Sequence, residues 1–267
     1  MKIAFLLGNF SNVGGIGRVT SILLNNFSNK DHLSFMAITY QKDIENPQYD
    51  LPDNITKLYL FEGRVPMVKA MLFKGAVSKL KKIEENNIDI IIASGVLFYP
   101  LAKRAVKYTN CLFYAWEHTN PYSDNDYKFQ GLARKSAKKA SHSILISKEG
   151  YDFYVKKLKI NPNLLTLIYN PINPAIITPP LYNSSSKKII SVGRLSYQKN
   201  FHSAIRVASV VFKVVDDWTW DIYGEGRDRP ELESMIKELG LENKVFLKGN
   251  VKNLYDLLPE YSFFVMT

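Results

Sequence analysis

A chain of 267 residues suits one large or two modest domains, and a hydrophobic share of 46% excludes disorder as a whole, because disordered chains are poor in apolar residues. The single cysteine, Cys111, excludes an internal disulfide and any multi-cysteine zinc site, and its apolar setting (CLFYAW) reads as a buried small hydrophobe rather than a reactive thiol. The net charge of +10 is uneven: residues 1–170 hold 23 Lys/Arg against 14 Asp/Glu, while residues 171–267 hold 12 against 11, so an anionic partner is expected for the front part.

Strands and helices alternate along the chain. KIAFLLG (2–8) reads as a strand, since its apolar run stops too early for a signal peptide. A glycine-rich loop follows, then a helix to residue 27 with Ile16, Val19, Leu23, Leu24 and Phe27 at helical spacing. Strands are expected at 32–39 and 55–61. A long helix over 67–86 carries an apolar stripe (Val68, Leu72, Ala76, Leu80, Ile83) and lysines elsewhere, among them Lys69, Lys74, Lys79, Lys81 and Lys82. IDIIIAS (88–94) is apolar nearly throughout, as in a parallel strand covered on both faces. A helix (99–108), a strand (111–116), a basic helix (127–140), a strand (142–147) and a helix (148–158) capped by Ser147 come next, and LTLIYNP (165–171) closes the series.

Pro, Asn and Ser dominate the following stretch, which reads as a linker over 171–187. A second alternation begins at 188, with strands at 188–193, 218–224, 244–249 and 262–267 and helices at 200–214, 228–239 and 253–259. The expected architecture is α/β: a doubly wound Rossmann-like domain over 1–170 and part of a second over 188–267. No stretch approaches the ~20 apolar residues of a membrane span, so a cytoplasmic setting is the simplest expectation.

Ligands of open α/β sheets lie beyond the carboxyl ends of strands, so the residues just after each strand carry the chemistry. Gly14 and Gly15 open the first helix, where backbone amides favour an anion. The dinucleotide fingerprint is incomplete there, because Thr20 stands where a third glycine belongs, and no P-loop is present. His118, in WEHTN (116–120), follows a buried strand and suits hydrogen bonding or proton transfer. In SVGRLSYQKN (191–200), Arg194 offers a planar fork and Lys199 a point charge, a pair suited to a diphosphate. Gly224, in YGEG (223–226), permits close backbone approach. The Asp124-Asn-Asp126 triplet reads as a loop and helix cap rather than a metal site.

Taken together, GGIGRV (14–19), WEHTN (116–120), ILISKEGYDFY (144–154), LIYNPIN (167–173), SVGRLSYQKNF (191–201), WDIYGEGRDRPELESMIKELGLENKVFLKGNV (220–251) and YSFFVMT (261–267) resemble the family 4 (group 1) glycosyltransferases of GT-B fold, over essentially the whole chain. The resemblance implies that Gly14 and Gly15 approach the donor phosphates, that His118 sits beside the transferred sugar, and that Arg194 and Lys199 hold the diphosphate. It implies that Gly224 belongs to the donor-side glycine turn and that the backbone around Asn250 and Val251 faces the base. It further implies retention of anomeric configuration without a metal or other cofactor. The family continues after its fourth strand with an acidic segment, whereas this sequence stops at Thr267, so a truncated product with impaired activity is expected.

The function expected is sugar transfer from a nucleoside diphosphate sugar to a cell-surface glycan, such as a capsule, or to a polyprenyl-linked acceptor. Peripheral membrane contact is expected through the 67–86 helix. The alternative is a non-catalytic sugar-nucleotide-binding or assembly protein. Nucleic acid is not an expected partner, because no reading motif appears and the aromatics sit in buried strands.

Overall fold

The structure, a computed structural model, describes residues 1–11, 14–41, 49–62, 87–107, 110–119, 127–172, 183–251 and 254–267. The chain divides into two compact units, Met1–Asn173 and Pro174–Thr267. Most of the expected linker, the 67–86 helix and the Asp124/Asp126 triplet lie outside the described residues.

In the first unit the described elements are β1 (Lys2–Leu7), α1 (Gly15–Phe27), β2 (Ser34–Gln41), β3 (Thr56–Phe61), β4 (Ile90–Ser94), α2 (Tyr99–Lys107), β5 (Leu112–Glu117), α3 (Tyr127–Lys139), β6 (His142–Leu145), α4 (Lys148–Lys156) and β7 (Leu165–Leu167). All strand pairs are parallel, in the order β3-β2-β1-β4-β5-β6-β7. Alternate residues of the central strands feed two cores: Ala4, Leu6 and Ile91 pack on one face, Phe5 and Leu7 on the other. That is why β1 and β4 read as near-continuous apolar runs. Burying side chains such as Leu6 and Ile91 completely contributes about 1.5–3 kcal/mol each.

Helix boundaries follow local chemistry. Ser147 caps α4, its hydroxyl accepting the Gly150 amide at 3.0 Å. The buried face of α3 includes the small residues Ala133, Ser136 and Ala137, which let the helix sit close to the sheet. β7 is shorter than expected, and the Asn170-Pro171 pair just beyond it disfavours continuation, since proline has no amide to donate.

The second unit contains β8 (Lys188–Val192), α5 (Phe201–Val211), β9 (Thr219–Tyr223), α6 (Arg229–Glu238), β10 (Val245–Gly249), α7 (Leu254–Leu257) and β11 (Phe263–Phe264), with parallel order β10-β9-β8-β11. β11 is two residues long where six were expected. Val265 donates its amide to Ile190, but its carbonyl takes the Ser191 hydroxyl at 2.6 Å rather than a strand amide, and the Thr267 hydroxyl turns to the Lys199 carbonyl at 2.7 Å. Side-chain hydrogen bonds thus end the ladder. Its core is built by Leu195, Phe201, Ile205, Trp220, Ile222 and Leu232, among others.

Candidate functional site

Each sheet reverses strand order at one place, β1/β4 in the first unit and β8/β11 in the second, and the carboxyl ends of strands around such a reversal are where open α/β sheets take ligands. The sequence-derived candidates fall on these edges: Gly14, Gly15 and His118 on the first sheet, Arg194, Lys199, Gly224, Asn250 and Val251 on the second.

On the first sheet, Gly14 precedes α1 and Gly15 begins it, and a side chain at either would meet nothing within 4 Å among the described residues. The first-turn amides of α1 have no partner within the helix. A residue the sequence reading missed lies across this loop. The Tyr49 hydroxyl accepts the Gly14 amide at 3.1 Å and donates to the Gly14 carbonyl at 3.1 Å, and its ring edge stands 3.2 Å from where a side chain at Gly17 would begin. Gly14's own amide is therefore already engaged, and an anion here would meet the amides beginning at Gly15.

His118 follows β5 and is half-buried, its ring 4.2 Å from that of Trp116. Its Nε2 is buried and has no hydrogen-bond partner among the described residues. Burial lowers the imidazole pKa to about 4, so the ring is neutral at pH 7 and suits hydrogen bonding rather than proton shuttling. Its neighbour Glu117 is 5% exposed. One carboxylate oxygen accepts the amides of His118 at 3.0 Å and Thr119 at 3.1 Å, and the other faces the Tyr154 hydroxyl at 3.4 Å. Burial raises the Glu117 pKa to about 7 against the pull of these donors, and it also raises that of Tyr154. Glu117 and Tyr154 were not singled out from sequence. The available signal was an acid at the end of the otherwise apolar run LFYAWE.

On the second sheet the turns after β8, β9 and β10 are laced together. Gly193 donates to Tyr223 O at 2.9 Å, Leu195 to Glu225 O at 3.0 Å and Gly224 to Gly249 O at 2.8 Å. A Cβ on Gly224 would stand 1.9 Å from the Gly193 carbonyl oxygen, and one on Gly226 2.0 Å from that of Leu195, so both glycines are sterically required. Gly224 also has φ +140, a conformation that favours glycine.

This frame carries two cations. Arg194 is exposed, and its guanidinium pairs with no carboxylate among the described residues. The Lys199 stem packs 3.4 Å from where a Gly193 side chain would begin, with its ammonium likewise unpaired. Lys199 ends a short 3-10 turn, and Asn200, left-handed at φ 48, starts α5. Asn250 is exposed just after β10, and Val251 packs near Tyr223 and Tyr261. The structure thus gathers Arg194, Lys199, Gly224, Asn250 and Val251 on one edge. Among the described residues, no group of three or more His, Cys, Asp or Glu converges as a metal site, and no helix is long and apolar enough to cross a membrane.

Comparison with known proteins adds similarities. Residues 174–267, the second unit, match the model described as glycosyl transferases group 1. The chain is 34% identical over 86 residues to a poly(glycerol-phosphate) alpha-glucosyltransferase of Bacillus subtilis, covering 32% of this chain and 12% of that protein. It is 23% identical over 262 residues to a lipopolysaccharide 1,6-galactosyltransferase of Salmonella typhimurium, covering 93% of this chain and 67% of that one. A mutant S. aureus TarM, solved with fondaparinux, alpha-GlcNAc-glycerol and UDP, superposes with a TM-score of 0.80 at 14% identity, covering 100% of this chain and 81% of that one. The chain therefore has the fold of the GT-B glycosyltransferases, and its residues 174–267 match the group 1 glycosyltransferase model.

Proposed function

We propose that the chain transfers a sugar from a nucleoside diphosphate sugar to a cell-envelope glycan or lipid-linked acceptor, with retention of anomeric configuration and without a metal. The carrying observation is the pair of cations, Arg194 and Lys199, unpartnered among the described residues and held by a glycine-laced frame at the strand-order reversal of the second sheet. Two fixed positive charges neutralise a diphosphate and stabilise the negative charge that grows on it as the sugar leaves. In this reading they supply the charge that a divalent ion supplies in other enzymes. His118, neutral and with an unsatisfied ring nitrogen, serves the sugar as a hydrogen-bonding group. The backbone at Asn250 and Val251 faces the base, and the amides at Gly15 meet the phosphates.

The acceptor class rests on the relatives, whose names place them on poly(glycerol phosphate) and lipopolysaccharide. Peripheral membrane contact and a cytoplasmic location follow from such an acceptor. The test is transfer itself. The purified chain, a panel of nucleoside diphosphate sugars and either acceptor should yield a glycosylated product by mass spectrometry, and excess EDTA should leave the rate unchanged. Failure to bind or turn over any donor would overturn the proposal, and a rate abolished by EDTA and restored by a divalent ion would overturn its metal-free part.

A further inference from the structure

α2 and α3 follow neighbouring parallel strands and run side by side, with a groove of about 810 Å³ between them. Its walls carry six cations: Lys103, Arg104 and Lys107 from α2, and Lys135, Lys138 and Lys139 from α3. The other lining residues are Tyr99, Pro100 and Leu132, with Tyr99 buried, and among the described residues no aspartate or glutamate lines the groove. Lys103, Lys135, Lys138 and Lys139 are exposed and form no ion pair among the described residues.

Helix dipoles account for part of this. Arg104 and Lys107 lie in the last turn of α2, and Lys138 and Lys139 in that of α3, where cations are favoured. Lys103 and Lys135 lie outside those last turns. The spacing also places like charges four apart on α3, Lys135 with Lys139, an arrangement that repels itself until an anion sits between. Basic residues flank the groove on both sides, so one anionic strand laid along it can reach lysines of both helices at once.

We propose that this groove binds a linear phosphate-bearing acceptor polymer, and so tethers it to the first unit. The tethering role rests on the glycosyltransferase reading, whereas the binding does not. The α2 helix, at nine residues, gives a groove roughly 13 Å long, room for more than one anionic group. Several point charges along a flexible strand suit lysines, which act as mobile single donors.

The experiment is fluorescence anisotropy on the full chain with labelled inorganic polyphosphate, using neutral dextran of matched length, orthophosphate and anionic vesicles as comparison ligands. Nucleoside diphosphate binding is measured separately, so that loss of the donor reading and loss of this one are distinguishable. Polyphosphate should bind saturably and more weakly as salt rises. Lys103→Gln with Lys135→Gln should weaken it at least about fivefold, with unchanged melting temperature and unchanged nucleotide binding. Lys30→Gln with Lys57→Gln, which removes the same charge elsewhere, should leave it unchanged. Polyphosphate binding no tighter than dextran, equal effects of the two double variants, or binding to vesicles alone would each overturn the proposal.

Discussion

Glu117 and His118 sit next to each other in sequence, and burial moves them in opposite directions. Glu117 is raised from 4.5 to about 7, so the stability tied to its protonation is present below pH 4.5 and lost as pH rises through 7. His118 is lowered from 6.5 to about 4, so its contribution is present above pH 6.5 and lost as pH falls through 4. Each shift corresponds to about 3 kcal/mol, and between pH 4.5 and 6.5 they offset. Denaturant melts should therefore show little pH dependence across that window for the native sequence. Glu117→Gln should expose the histidine's contribution, with stability falling as pH drops from 6.5 to 4.5. His118→Asn should expose the opposite slope, with stability rising as pH drops from 7 to 4.5. Parallel slopes in both variants would contradict this. That His118 directly follows a buried strand was legible from sequence. The neutral state of its ring was not, because desolvation depends on packing that no local pattern records.

At the scale of elements, most strands and helices follow from apolar periodicity, and Ser147 was readable as a cap from its place alone. Two of the misses, β11 and Tyr49, come from hydrogen bonds made over long sequence separations, and the end of α7 comes from a local proline. β11 ends early because Ser191, 74 residues before Val265, takes its carbonyl. α7 gives way to a 3-10 turn at Leu258–Glu260, whose Pro259 lacks an amide. Tyr49 reaches Gly14 across 35 residues. The turn after β9 shows the same dependence, since its need for glycine comes from the Gly193 carbonyl of another turn. Gly224→Ala should cost at least about 2 kcal/mol from strain and displaced backbone, visible as a lowered melting temperature of the second unit together with weakened nucleotide binding. An unchanged melt would contradict the close approach.

At the scale of the molecule, tandem α/β units were legible because strand-helix alternation is written in the chain twice, interrupted once by a Pro- and Ser-rich stretch. The sheet orders were not, since periodicity does not say which strands are neighbours. Those orders matter, because they put the two informative turns at the strand-order reversals. The basic excess of residues 1–170 was visible as a count. Its concentration on two facing helix walls emerges only when α2 and α3 are laid side by side.

The central claim is that Arg194 and Lys199 together grip a diphosphate. Isothermal titration of UDP and other nucleoside diphosphates into the native chain and into the Arg194→Ala, Lys199→Ala double variant tests it directly. Charge-assisted hydrogen bonds contribute about 1.5–3 kcal/mol each, so the account expects the variant to bind roughly 100-fold more weakly or worse while melting at the same temperature. Equal affinities in two equally folded proteins would contradict it.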